Sequence, residues 1–281
     1  MEKFSAIIDL TRIKKPIGIF LLMWPTLSAL WLASGGAPKI KIFCIFILGI
    51  VLMRSAGCVA NDLVDRNIDS FVERTKNRPI TSGIVSVKEA LILLLLLLLF
   101  SFFLVIQLNL LTIGISVAAL LFSLTYPFTK RFFKIPQLYL GVTFGFGILM
   151  AFSAVQGMIP LEAVILFIAN IFWAFSYDSH YAIADMTDDK KLKVFSAPIT
   201  FNKNIMLIIT LSYFLMFLNL IIIGFLMKFT FSFYCCLALG LIISIYGCID
   251  SRDKDPNKNF KAFLRNNYVG FIVFFGFFSQ M

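Results

Sequence analysis

Between Ala90 and Thr129 the chain carries no charged side chain. That stretch is about twice the length that crosses a bilayer's hydrocarbon core as an α-helix. In lipid every backbone N–H and C=O has to be satisfied within the segment, which restricts spanning structure to helices and closed barrels. The stretch therefore predicts two membrane-spanning helices in a tight hairpin, with Gln107-Leu108-Asn109 at the turn. The leucines from Leu91 to Leu99 need no other account, because a lipid-facing helix requires nothing more specific.

The rest of the chain has the same character. Of its 281 residues 60% are hydrophobic and 14% charged, with a mean hydropathy of +0.92, far from a soluble domain. Nine apolar runs are legible: Pro16–Ala37, Ile42–Ala60, Ala90–Ile106, Leu110–Thr125, Ile135–Gln156, Ala163–Tyr177, Ile205–Met227, Phe229–Ile249 and a shorter one at Tyr268–Met281. The expected fold is all-α, a polytopic transmembrane bundle of about nine helices forming one integral-membrane domain over residues 1–281. No small-residue cleavage site or acid-free presequence precedes the first run, so it is expected to remain as a span.

The net charge of +10 raises nucleic acid as a partner, but the basic residues sit in short loops between spans, where topology and anionic lipid account for them. No nucleic-acid partner is expected, and no obligate protein partner is evident. Lysines and arginines crowd the N-terminus and alternate loops, whereas the opposite side has Lys39, Lys41 and Lys228. The positive-inside rule then puts the N-terminus and every acid-rich loop in the cytoplasm. The cysteines lie in or at the ends of apolar runs without CxxC spacing, indicating neither a disulfide framework nor a zinc site.

Two acid-rich stretches carry the chemistry. The first is Asn61-Asp62-Leu63-Val64-Asp65-Arg66-Asn67-Ile68-Asp69. As a helix it puts Asp65 about 60° and Asp69 about 20° from Asp62, on one face. Carboxylates crowded in this way repel one another unless cations lie between them. Arg66, Arg74, Lys76 and Arg78 surround them, a basic shell suited to phosphate oxygens. The second stretch repeats the spacing at one constant offset: Asp178 for Asp62, Tyr181 for Asp65 and Asp185 for Asp69, with Asp189 one turn further. Four spans separate the two, so both face the same side. Opposed acid faces of this kind suit about two Mg²⁺ bridging a diphosphate, and a diphosphate on a long hydrocarbon tail would lie at this interface.

Arg54 stands inside the second span, where a charge is costly and usually faces protein or a water-filled cavity. It shares the face of Asn61, about 10 Å deeper. It reads either as a salt bridge to the acids or as a clamp for a second, anionic substrate. Tyr126-Pro127-Phe128-Thr129-Lys130-Arg131 offers interfacial anchors or, beside the acids, anion binders. His180 is the sole histidine, which excludes a histidine metal site and leaves an acid–base role open.

These motifs resemble the UbiA family of intramembrane aromatic prenyltransferases over nearly the whole chain. NDxxDxxxD is present as Asn61, Asp62, Asp65 and Asp69, followed by Arg74-Thr75-Lys76-Asn77-Arg78-Pro79. Lys15-Pro16-Ile17-Gly18 with Trp24-Pro25-Thr26, Met53-Arg54-Ser55-Ala56-Gly57-Cys58, the Tyr126–Arg131 loop, Tyr177-Asp178-Ser179-His180-Tyr181-Ala182 and Asn266-Asn267-Tyr268-Val269-Gly270 follow in family order. Tyr181, where other branches carry aspartate, is similar to the branch acting on 4-hydroxybenzoate. It leaves Asp178, Asp185 and Asp189 as candidates for the second metal.

The resemblance implies nine helices around a central cavity opening towards lipid, and Mg²⁺-dependent transfer of a polyprenyl group from its diphosphate to 4-hydroxybenzoate, a membrane step of ubiquinone biosynthesis. It implies Mg²⁺ on Asn61, Asp62, Asp65, Asp69, Asp178, Asp185 and Asp189, with Asp62, Asp65, Asp69, Asp178 and Asp185 as the catalytic set. Arg66, Lys76, Arg78 and Lys130 are implied at the diphosphate, Tyr126 and Tyr181 at the substrates, and Arg131 or Arg54 at the acceptor's carboxylate. Another acceptor, such as a naphthoate or haem, is the near alternative; an ion-coupled transporter is the distant one, since transporter sites lie near the midplane on broken helices. The expected location is a bacterial cytoplasmic membrane.

Overall fold

The computed structural model describes residues 2–71 and 75–280, the side chains of Glu2 and Phe71 excepted. Its helices are α1 (Glu2–Leu10), α2 (Ile17–Ser34), α3 (Ile40–Asp65), α4 (Val87–Val105), α5 (Leu110–Thr129), α6 (Pro136–Gln156), α7 (Leu161–Lys191), the short α8 (Ala197–Phe201), α9 (Ile205–Leu226), α10 (Phe231–Asp250) and α11 (Pro256–Phe278). No strand occurs among the described residues. Among the described residues eight candidate spans are long and apolar enough to cross a membrane, and α11, at 23 residues, is the ninth long helix. This is a multi-pass membrane protein.

Local chemistry fixes the helix ends. Ser86 and Glu89 form a reciprocal capping box at the start of α4. The expected hairpin turn is held by Asn109, whose Oδ1 accepts from the Thr112 N–H at 3.0 Å while its Nδ2 donates to the Ser153 carbonyl of α6. Gly35 and Gly157 close α2 and α6 in the left-handed region.

Three helices run further than their apolar runs. α3 continues to Asp65, so Asn61, Asp62 and Asp65 are helical and Asp69 opens a separate 3₁₀ turn, Asp69–Phe71. α7 does not stop at Tyr177 but spans 31 residues, about 46 Å at the helical rise against roughly 30 Å of hydrocarbon. The second acid motif is therefore part of a spanning helix rather than a segment after it. α11 begins at Pro256, capped by Asp255, because its polar residues turn inward: Asn259 and Asn266 are buried.

Lipid is as apolar as leucine, so packing and polar ties rather than hydrophobic expulsion hold such helices together. α2 is central, meeting α3, α6, α7 and α11, while α7 also packs on α6 and α9. Asn266 Oδ1 accepts from Trp173 Nε1 of α7 at 2.9 Å and from the Tyr213 hydroxyl of α9 at 3.0 Å, and Asn267 accepts from Trp24 Nε1 of α2 at 2.8 Å. On the other flank α4 and α5 barely touch, and α3 meets α6 at few points. The bundle is thus solid on one side and hollow on the other.

Gly141 of α6 lies against the α7 backbone: a Cβ there would stand 2.9 Å from Ile171 Cα, and its carbonyl accepts from Asn170 Nδ2 at 3.1 Å. Gly141→Ala is expected to prise α6 from α7 and cost about 1–3 kcal/mol, read as a lower unfolding midpoint in detergent. Gly114→Ala, with open space around it, should leave the midpoint unchanged or raise it.

Candidate active site

Asp62, Asp65 and Asp69 are all buried, and a buried carboxylate is costly unless paired. Each has its cation. Arg12 Nη2 donates to both oxygens of Asp62 at 2.9 Å. Arg78 Nη1 bridges Asp62 at 3.1 Å and Asp69 at 2.7 Å, while Thr75 Oγ1 donates to the Asp69 carbonyl. Asp65 turns instead to the end of α5, 3.3 Å from Lys130 Nζ and 3.7 Å from Arg131. The shared face expected for the three acids is therefore divided, because α3 ends at Asp65 and Asp69 follows in a separate turn.

Burial works against the charge on Arg78, yet Asp62 and Asp69 outweigh it and hold the guanidinium above its ordinary pKa. For Lys130, too, burial opposes the charge, and Asp65 and Asp189 raise the ammonium's pKa.

On α7 the helical period puts Asp178, Tyr181, Asp185 and Asp189 along one stripe. That stripe and the end of α3 line the same cavity of about 740 Å³, with Asn61 and Asp62 on one wall and Asp178, Asp185 and Asp189 on the other. The two acid motifs thus stand at one end of the bundle. Arg12, Arg78 and Lys130 complete the polar mouth. Below it the lining is apolar, running down α4 through Leu98 and Phe102 and along α5 from Leu120 to Ile113, as far as Leu108 in the distant turn. A charged mouth on an apolar trough suits an anionic head on a long tail.

The remaining candidates divide. Tyr126 and Tyr181 line the cavity, the ring of Tyr181 packing edge-on to Phe263 at 5.0 Å. Arg66 is exposed and donates to the Leu63 carbonyl at 2.7 Å; Lys76 is exposed as well, and neither is among the described lining residues. Arg131 is also outside that lining, lying over the Phe128 ring and donating to the Val64 carbonyl. Arg74 falls outside the described residues. Arg54 lines the cavity with Nη1 on Cys58 Sγ at 2.9 Å, and among the described residues no carboxylate pairs with it. Its buried Nε has no hydrogen-bond partner. His180 faces away, bonded through Nδ1 to Asn259 Oδ1 at 2.9 Å, which ties α7 to α11 and removes it from the cavity.

Arg12 carries more of the site than its sequence position shows. It has φ +58°, the left-handed region that non-glycine residues seldom occupy. α1 is held over the end of α3 by Ala6 and Leu10, packed on Val59, Leu63 and Ile80. The turn after α1 brings the guanidinium back onto Asp62. The signal available in the sequence was a basic residue just before the first span, which orientation alone explained.

Among the described residues no three carboxylate, histidine or cysteine side chains converge into a ready-made cage. The cavity does present oxygen donors from Asn61, Asp62, Asp178, Asp185 and Asp189. Mg²⁺ keeps several waters and is bound through one or two carboxylates plus substrate phosphates. The residues therefore fit a hard cation that arrives with phosphate.

Residues 22–275 match the model of the UbiA prenyltransferase family. The chain belongs to that family. This UbiA prenyltransferase is 49% identical over 277 residues to the 4-hydroxybenzoate octaprenyltransferase of Nitrosomonas eutropha, covering 98% of this chain and 96% of the relative. It is 46% identical over 275 residues to that of Methylobacillus flagellatus, covering 98% and 93%. Among solved structures its fold is similar to the apo UbiA homolog from Aeropyrum pernix K1 (TM-score 0.81, 23% identity, 94% of this chain and 98% of that one). It is also similar to the UbiA homolog from Archaeoglobus fulgidus bound to GPP and Mg²⁺ (TM-score 0.73, 15% identity, 96% and 99%).

Removing the bridge between the two acids should destabilise the mouth. Arg78→Ala removes the cation that Asp69 shares with Asp62, leaving Asp62 to Arg12, and is expected to cost about 2–4 kcal/mol of stability, measured by thermal unfolding; Arg78→Lys should recover part of it.

Proposed function

We propose that this UbiA prenyltransferase transfers a polyprenyl group from polyprenyl diphosphate to the ring carbon beside the hydroxyl of 4-hydroxybenzoate, releasing diphosphate, in the membrane branch of ubiquinone biosynthesis. The observation that carries the reading is the single cavity whose mouth joins both acid motifs to Arg12, Arg78 and Lys130 and whose body is an apolar trough. The names of the relatives at 46–49% identity support the choice of acceptor.

Arg12, Arg78 and Lys130, which neutralise Asp62, Asp69 and Asp65, bind the diphosphate oxygens and so free those carboxylates. Asn61, Asp62, Asp65, Asp69, Asp178, Asp185 and Asp189 are the residues that would hold Mg²⁺, and Arg66 and Lys76 add positive potential outside the mouth. When bound, the metal supplies charge neutralisation to the leaving diphosphate. The allylic C–O bond breaks with its electron pair leaving on diphosphate, and the faces of Tyr126, Tyr181 and Phe263 stabilise the cation. A ring-carbon electron pair forms the new C–C bond, and the C–H bond at that carbon then breaks, its electrons restoring aromaticity and its proton passing to the released diphosphate. The apolar trough limits the water that would otherwise capture the cation.

Of the two arginines considered for the acceptor's carboxylate, Arg54 is supported over Arg131: it lines the cavity with an unpartnered Nε, whereas Arg131 is engaged outside it. The basic loops support an orientation with the mouth towards the cytoplasm, and we assign the protein to a bacterial cytoplasmic membrane. A reporter fused after Lys191 should be active only in its cytoplasm-sensing form.

Purified protein with Mg²⁺, a polyprenyl diphosphate and 4-hydroxybenzoate is expected to yield C-prenylated acid and lose activity when a chelator removes the metal. Failure with every chain length would defeat the reading, and preference for a naphthoate or haem precursor would transfer it to a sister enzyme. Asp62→Asn should lower kcat by about a hundredfold or more without loss of fold, as judged by thermal unfolding.

A further inference from the structure

Asp62 has both of its oxygens taken. Arg12 Nη2 stands 2.9 Å from each of them, and Arg78 Nη1 lies 3.1 Å from Oδ1. A hard divalent cation needs a carboxylate oxygen at about 2.0–2.1 Å, and a dication beside two guanidinium groups is repelled by both. Metal reaches Asp62 only after a guanidinium has moved away.

The two arginines differ in their freedom to move. Arg78 also holds Asp69 at 2.7 Å, so its departure would strand two buried acids. Among the described residues Arg12 pairs with Asp62 alone, and its side chain is 29% exposed against 2% for Asp62. It projects from the short turn between α1 and α2. α1 itself is anchored by other contacts: Ala6 and Leu10 pack on Val59 and Leu63, Thr11 Oγ1 donates to the Ile8 carbonyl, and Lys3 pairs with Glu89 of α4 at 2.7 Å. The guanidinium can therefore swing while α1 keeps its seat. Lys15, three residues on, lines the same mouth. An anion arriving there meets two cations on one turn.

Withdrawing Arg12 with nothing in its place leaves a buried carboxylate short of a partner, which is strongly destabilising. Withdrawing it onto a diphosphate oxygen exchanges one charge-assisted bond for another, and the Asp62 oxygens are released at little net cost. We propose that Arg12 is a latch on Asp62 that makes metal affinity conditional on diphosphate. The inference rests on the proposed prenyl transfer and adds the residue that orders its two ligands. Metal alone meets a closed carboxylate. By linkage, the factor by which diphosphate tightens metal equals the factor by which metal tightens diphosphate.

The test is a binding cycle with Mn²⁺, read by its paramagnetic resonance signal, and a polyprenyl thiodiphosphate, whose C–S bond resists ionisation. Each ligand is titrated with and without the other on the parent, Arg12→Ala, Arg12→Gln and Lys14→Ala. Direct contact between metal and diphosphate is common to all four proteins and cancels in the comparison. The coupling factor should fall by about tenfold in Arg12→Ala, with Mn²⁺ binding the donor-free protein more tightly and the thiodiphosphate binding less tightly. Arg12→Gln should behave in the same way, and it decides the matter if Arg12→Ala fails to fold. Lys14→Ala removes a positive charge from the same turn, but one that pairs with Asp9 at 2.8 Å, so its coupling should match the parent's. Parental coupling in the Arg12 variants, donor-free Mn²⁺ affinity no higher than the parent's, or an equal loss in Lys14→Ala would overturn the latch. Protein that makes no prenylated acid defeats the proposed function; active protein whose coupling ignores Arg12 defeats the latch only.

Discussion

A carboxylate cannot be buried near lipid without a counter-charge, and the architecture of the mouth follows from that constraint. Asp62, Asp65 and Asp69 are each almost inaccessible, and three separate segments bring cations to them: Arg12 from the turn after α1, Arg78 from the loop after α3 and Lys130 from the end of α5. α1, the 75–86 loop and the α5–α6 connection are thus gathered around the end of α3 by charge. The same pairs make the site responsive. In the proposed reaction a diphosphate would compete with the carboxylates for guanidinium and a divalent cation with guanidinium for the carboxylates, so an incoming ion complex would satisfy both partners of each broken pair.

The rest of the bundle divides the work between packing and space. α2, α6, α7 and α11 are drawn together by small residues such as Gly141 and by the Trp–Asn–Tyr ties around Asn266. This solid flank fixes the rotation of α7, with His180 and Asn259 bonded on the side away from the cavity, so that Asp178, Tyr181 and Asp185 point inward. Against it α3, α4 and α5 enclose the trough. The seam between α4 and α5 is loose along the bundle, and the turn that joins them is tied to α6 through Asn109, Thr112 and Ser153.

Much of this was legible in the residues. Uncharged runs located the spans, the Ala90–Thr129 stretch forced the hairpin, and the constant offset between the acid motifs, with four spans between them, required one shared end. What escaped was anything that depended on where a helix stops. Hydropathy falls at Ala60, Tyr177 and before Tyr268, but α3, α7 and α11 continue because hydrogen bonding within a helix is indifferent to polarity, and buried partners await Asp62, His180 and Asn259. The role of Arg12 was hidden for a related reason: its backbone reversal and its partner Asp62 are separated by two helices, and a basic residue before a span already has an explanation. Arg66 and Lys76 lie near the acids in sequence and outside the cavity lining in space, because the chain leaves the helix between them.

The loosely joined α4 and α5 bear on selectivity. In the proposed reaction a polyprenyl tail leaving the bilayer for the trough would exchange one hydrocarbon medium for another, so each added isoprene unit would change the transfer free energy very little. Greasiness cannot rank donors of different length. Discrimination has to come from contour, from whether the last units find room beside Phe102, Ile113 and Leu108 or are left among the lipids.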